Sequence, residues 1–162
     1  VHTVMERVDF KGDVSEEAVK TLIYGMTQKG IITAEEAESV NIKALMKFFE
    51  TDIYGRIRKS AKVYREEPFV MTLKSGEVFG ERYKGTNEDI LLHGIIDCYF
   101  EEDDGLVLLD YKTDFNTDEK NIKSRYKIQM YMYKRALEKA TGKKVKESYI
   151  YLFKTGEFTD MG

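Results

Sequence analysis

The sequence predicts a mixed α/β fold in which a helical N-terminal segment leads into a central mixed sheet flanked by helices. Apolar residues recur at helical spacing up to about residue 60 and at a period of two from Lys62 onward. Two apolar runs, ILLHGIIDCYFE at 90–101 and LVLLDYK at 106–112, flank the polar loop EDDG as strands flank a hairpin turn. A long helical pattern then separates them from a last apolar run. The order is therefore helices, three strands, helix, strand.

Each element has a local reason. VHTVMERVDF has helical character. Ser15 followed by Glu16 and Glu17 is a helix start, with an N-cap and carboxylates at the positive end of the dipole. Ala18, Leu22 and Met26 continue at helical spacing until Gly30 ends the run. Thr33-x-x-Glu36 is a capping box, and Ile42, Leu45, Met46 and Phe49 form the apolar stripe of the next helix. The basic segment YGRIRKSAK follows. The first strand alternates through Val63, Arg65, Glu67, Phe69 and Met71, with Pro68, the only proline, marking an edge or an irregularity. SGE at 75–77 is expected to be a turn, 118–140 a long helix ending at Gly142, and VKESYIYLFKTGE a single closing strand.

Composition narrows the function. The 162 residues suit one domain with a single core, divided into a helical segment at 1–60 and a sheet-containing core at 61–162. Charged residues reach 34% yet the net charge is −3, so the chain does not hold a polyanion by its bulk field. Polyanion binding would need a local patch, a metal or a partner. With Cys98 as the one cysteine, a disulfide framework or a cysteine-rich zinc or iron–sulfur site within this chain is excluded. No apolar run has the length of a membrane-spanning helix, and the start at Val1 reads as that of a piece of a longer protein.

The stretch LVLLDYKTD carries the chemistry. A buried strand that places Asp110 and Lys112 on its way out of the core needs a partner or a metal for each charge. Asp-Gly at 104–105 is a strong two-residue turn signal; centring the hairpin there pairs Asp97 with Lys112, and centring it one residue earlier pairs Asp97 with Asp110. Any even-numbered loop puts Asp97, Asp110 and Lys112 on one face. Two carboxylates so placed suit Mg²⁺, and a lysine beside them suits developing phosphate charge or an attacking water. The bland alternative is a solvated Asp97–Lys112 salt bridge; the apolar flanks, Ile95-Ile96 and Leu106 to Leu109, weigh against it.

GIIDCYF followed by LLDYKTD resembles the Gly-x-x-Asp … Asp-x-Lys core of the PD-(D/E)XK nucleases, in their RecB-like branch. Gln129-x-x-x-Tyr133 resembles that branch's Gln-x-x-x-Tyr motif, REEPF at 65–69 the strand before the core, and His2 the histidine ahead of the helical segment. The resemblance covers essentially the whole chain and implies a restriction-endonuclease-like fold. It departs from relatives that clasp an iron–sulfur cluster, whose cysteines are absent, and no G-x-x-x-x-G-K-[ST] loop is present.

The resemblance implies a metal-dependent DNA exonuclease domain serving a helicase in double-strand break processing and recombinational repair. Asp97, Asp110, the Tyr111 carbonyl and His2 would hold Mg²⁺, with Mn²⁺ able to substitute. Lys112 would orient the attacking water, and Gln129 and Tyr133 would face the site. Glu66 is a candidate further carboxylate. The implied partners are DNA, helicase domains of the same parent chain and a second helicase/nuclease subunit, in the bacterial cytoplasm near the nucleoid, with no membrane. Tyr131 and Leu137 are expected in the core; His93 is expected to be structural or substrate-adjacent. Arg125 and Lys127, and the run Arg56, Arg58, Lys59, Lys62, could contact phosphates or simply form solvated faces. Two rival readings are an inert nuclease-fold domain used for DNA binding or docking, and a stand-alone phage-type exonuclease.

Overall fold

A computed structural model describes residues 1–79, 88–113 and 119–162. The elements are α1 (His2–Arg7), α2 (Glu16–Gln28), α3 (Ala34–Glu38), α4 (Ile42–Phe49), α5 (Asp52–Lys59), β1 (Val63–Lys74), α6 (Ser75–Phe79), β2 (Asp89–Glu102), β3 (Gly105–Lys112), α7 (Glu119–Thr141), β4 (Val145–Leu152) and β5 (Glu157–Asp160). The helix starts follow the chain's own chemistry. Ser15 Oγ accepts from the Ala18 N–H, Thr33 and Glu36 close the capping box, and Asn41 and Thr51 cap α4 and α5.

The five strands lie in the order β1-β2-β3-β4-β5. Only β3 and β4 run parallel; the other neighbours are antiparallel. The long helix α7 is the crossover that a parallel pair requires. One sheet face, with Cys98, Phe100, Val107, Leu109, Tyr111 and Tyr151, packs against α1, α2, α4 and α5. The other, with Ile96, Tyr99, Leu106, Leu108, Ile150 and Leu152, packs against Ile122, Met130, Tyr133 and Leu137 of α7. β3 is thus buried on both faces, which is why its sequence is an unbroken apolar run and not an alternation.

Phe48 is the hub of the first core. Its ring lies between 5.0 and 6.5 Å from those of Phe10, Phe49, Tyr54, Tyr111, Tyr151, Phe153 and Phe158. Phe48→Ala is expected to cost about 3–5 kcal/mol, read by urea denaturation.

The structure departs from expectation in three places. SGE opens the short helix α6 where a turn is expected. The closing apolar run divides into β4 and β5, joined by a turn at 153–156 in which Gly156 takes a φ of 78°. Of the two hairpin registers left open by the sequence, the chain adopts the earlier, pairing Glu102 with Gly105 around Asp103 and Asp104. Tyr131 is 40% exposed on the outer side of α7, whereas Leu137 is in the core. Residue 118, where the long helix is expected to begin, lies outside the described residues.

A candidate active site at the end of β2 and β3

The β2–β3 ladder ends at Cys98↔Leu109, so Asp97 comes opposite Asp110 one step beyond the last pair. There the strands stop exchanging main-chain hydrogen bonds, and the Tyr111 N–H donates to Asp97 Oδ2 at 2.7 Å. The side-chain alternation of β2 also inverts here. Ile96 belongs to the α7 core and Cys98 to the helical core, although they are two residues apart. Across from this point on β1, between the pairs Arg65↔Cys98 and Glu67↔Ile96, Glu66 takes a left-handed φ of 50°. A non-glycine residue there carries strain of about 1–3 kcal/mol, and such strain concentrates at functional sites. The distortion turns Glu66 and Asp97 off the ordinary pleat.

Asp110 is 1% exposed. Burial pushes its carboxyl up to about 6, with the Lys112 ammonium opposing that rise and the Asp97 charge adding to it. Lys112 Nζ lies 2.7 Å from Asp110 Oδ2, and the same ammonium sits over the Tyr126 ring of α7, 4.7 Å from its centre. Apart from this ion pair, that buried oxygen has no hydrogen-bond partner among the described residues. Lys112 therefore pairs along its own strand with Asp110, and not across the hairpin with Asp97.

His2 reaches this point from the first turn of α1. Its Nε2 is 3.0 Å from the Tyr111 carbonyl oxygen and 3.4 Å from Asp97 Oδ2. The bond to Asp97 raises the imidazole above its ordinary value against the opposing effect of burial. Glu66 is half-buried, its carboxyl raised by burial first and by Asp97 second. From the other side, Gln129 Nε2 donates to the Tyr133 hydroxyl at 2.8 Å, an i,i+4 pair on α7. Tyr133 is 8% exposed; burial raises its phenol, with smaller contributions from Asp110, Asp97 and Glu66. The carboxylates that the hairpin gathers thus lie within electrostatic reach of the Gln-x-x-x-Tyr pair.

Gly94 has a packing reason that sequence inspection does not assign. A Cβ there would stand 2.8 Å from Phe69 Cε1 and 3.6 Å from Tyr133 Cε1. The bare glycine lets Phe69 meet Tyr133 edge-on, ring centres 5.5 Å apart, and so seats the tyrosine against the sheet.

The donor set suits a hard divalent cation in part. Asp110 Oδ2 is a buried oxygen facing the Lys112 ammonium, and His2 Nε2 lies 3.0 Å from the Tyr111 carbonyl oxygen and 3.4 Å from Asp97 Oδ2, separations open to neighbouring ligands around a cation with bonds of about 2.0–2.4 Å. Among the described residues no three His, Cys, Asp or Glu side chains close into a cage by themselves. The remaining positions around such a cation would fall to the carbonyl, water and substrate oxygens, which is how Mg²⁺ is commonly held.

The sequence signature of the PD-(D/E)XK nuclease superfamily matches residues 1–160. The chain belongs to that superfamily. Among its curated relatives is the A subunit of the ATP-dependent helicase/nuclease of Thermoanaerobacter sp. (strain X514), 47% identical over 165 aligned positions, which cover 99% of this chain and 13% of that protein. The proteins of the same name from Clostridium kluyveri (strain ATCC 8527) and Clostridium novyi (strain NT) are 42% and 43% identical, over 99% and 94% of this chain, and again 13% of their own lengths. The chain therefore spans about an eighth of the relatives it matches. The mixed five-stranded sheet between two helical layers is the architecture expected of a PD-(D/E)XK member.

Other residues singled out in the sequence lie elsewhere. Arg56 donates to Glu102 at 2.8 Å and to Glu147 at 2.7 Å, pinning the hairpin end of the sheet, at the far end of β3 from Asp110. Lys62 is 3.5 Å from Glu101 at that same end. Of the basic run, Arg56 and Lys62 are thus held in ion pairs, while Arg58 reaches the Lys11 carbonyl. His93 is exposed and lies opposite Val70 out along β1 and β2. Arg125 and Lys127 are exposed on α7. Among the described residues no helix is long and apolar enough to cross a membrane.

Proposed function

We propose that this chain is a metal-dependent DNA nuclease domain, working as an exonuclease on a strand delivered by helicase domains of the same parent chain. The observation that carries the reading is the Asp110–Lys112 pair, whose carboxylate is buried beside Asp97 at the frayed end of a hairpin. Burying these charges costs stability, and ligand chemistry is the reason such a cost persists. The superfamily match and the relatives' names support the same reading.

In this reading Asp97, Asp110, the Tyr111 carbonyl and His2 hold Mg²⁺, or Mn²⁺ in its place. The bound cation supplies charge neutralisation at the phosphate and a lowered pKa for the attacking water. Lys112 positions that water and faces the negative charge carried by the phosphoryl oxygens in the transition state. Water oxygen bonds to phosphorus, one P–O bond to sugar breaks, and the departing oxygen takes up a proton. His2 would serve as a ligand through its neutral imidazole, and its bond to Asp97, which raises the imidazole above its ordinary value, would compete with that role. Gln129 and Tyr133 steady the α7 side of the site, and Glu66 is a further acid within reach of Asp97. DNA is the substrate, a second, AddB-like helicase/nuclease subunit the partner, and break repair and recombination in the bacterial cytoplasm the setting.

The test is cleavage of end-labelled linear DNA and of covalently closed circular DNA with Mg²⁺, Mn²⁺ or EDTA. The expected result is release of label from linear DNA with either metal, none with EDTA, and circles left intact. Cutting of circles would refute the exonuclease assignment. Equal cutting in EDTA would refute the metal.

A further inference from the structure

Lys112 is held from two sides, and the second holder belongs to neither the motif nor the carboxylate cluster. Its Nζ lies 2.7 Å from Asp110 Oδ2 and 4.7 Å from the centre of the Tyr126 ring, which also carries the Arg125 guanidinium 5.3 Å from its centre. Tyr126 is half-buried and packs against the core cluster that includes Ile122 and Met130, which restricts its ring. A lysine has a four-carbon stem with many rotamers and a strongly hydrated head. One contact leaves it room to swing; a carboxylate and a ring face together define one position.

From this geometry we propose that Tyr126 is a positioning residue: its ring keeps the Lys112 ammonium aimed at the reacting phosphate once Asp110 is engaged with a cation. The assignment rests on the reading of the site proposed above. A cation at Asp110 competes for the oxygen that Lys112 now faces, and like charges repel across that short distance. The ion pair therefore weakens at the stage when the ammonium is needed. The aromatic quadrupole is indifferent to that competition, because the attraction between a ring face and an ammonium does not use the carboxylate. Arg125 at the same ring adds a second cation to this side of the site, where a phosphate would be drawn. The ring face, not the phenol oxygen, holds the ammonium.

Two measurements test this together. The first is NMR of the Lys112 ε-methylene protons in the parent, Tyr126→Phe and Tyr126→Leu, before and after Mg²⁺. The ring current should move them upfield in the parent and in Tyr126→Phe, but not in Tyr126→Leu, and the shift should survive added Mg²⁺. The second is steady-state cleavage of linear DNA. Tyr126→Leu should lower kcat about two- to thirty-fold with KM for DNA unchanged, and Tyr126→Phe should restore the loss. Absence of the upfield shift in the parent, or its disappearance on adding Mg²⁺, would overturn the proposal. So would parental kcat in Tyr126→Leu, a change confined to KM, or failure of phenylalanine to rescue. A parent that shows the shift but cuts no DNA would instead sink the reading of the site, and with it the role given to Tyr126.

Discussion

Asp110→Asn is expected to abolish cutting while making the protein more stable at neutral pH. The two effects come from one fact, the burial of a carboxylate whose pKa is about 6. The ordinary value is 3.8, so between roughly pH 4 and pH 6 the folded protein holds a proton that the unfolded chain has released. Stability therefore falls as pH rises through that window, and the cost of the ionised carboxylate is fully present above it. A shift of that size corresponds to at most about 3 kcal/mol. Asparagine removes the charge but leaves Lys112 without its partner, so a gain of about 1–3 kcal/mol is expected near pH 8 and none near pH 4. Urea denaturation at the two pH values reads the difference. In the proposed reading cleavage should fall at least a thousandfold, since several kcal/mol of transition-state stabilisation there depend on a cation held by the Asp110 carboxylate. A variant that is both inactive and less stable at pH 8 would mean that Asp110 serves the fold.

Lys112→Met is expected to shift stability the other way. The ammonium is what keeps the Asp110 carboxyl from rising further. Without it a buried carboxylate stands unpaired, at a cost of about 2–4 kcal/mol at pH 8. That cost should shrink toward pH 5, because Asp110 can then take a proton and become neutral. Activity should fall about a hundred- to a thousandfold, the loss typical of removing one group aimed at developing charge. The double variant Asp110→Asn/Lys112→Met should recover most of the stability lost in Lys112→Met, a coupling that a thermodynamic cycle measures directly. Additive effects would show that the 2.7 Å contact carries no energy.

Much of this arrangement was legible in the residues. LVLLDYK reads as a fully buried strand because it lacks alternation, and β3 is covered on both faces. Gln129 and Tyr133 are spaced for one helix face, and they are joined there by a hydrogen bond. Other features were hidden for physical reasons. The inversion of β2 at Asp97 depends on Glu66, thirty-one residues earlier, adopting a left-handed conformation that nothing local favours. β5 has only four residues, and their pairing with β4 depends on the turn through Gly156. Tyr131 and Tyr133 look alike in sequence, yet two residues of helix turn them to opposite sides, and only the sheet's position decides which is buried. Arg56 resembled a strand-guiding cation until Glu102 and Glu147, far apart along the chain, closed on it.

The central claim is that Asp97, Asp110, His2 and the Tyr111 carbonyl form a divalent cation site. It is tested most directly by calorimetric titration of Mn²⁺ near neutral pH, into the parent and into Asp110→Asn, in two buffers of different ionisation heat. The account predicts one saturable site in the parent, with any proton displaced on binding visible as a heat that differs between the buffers, and no such site in Asp110→Asn. No binding by the parent, or equal binding by the asparagine variant, would contradict it.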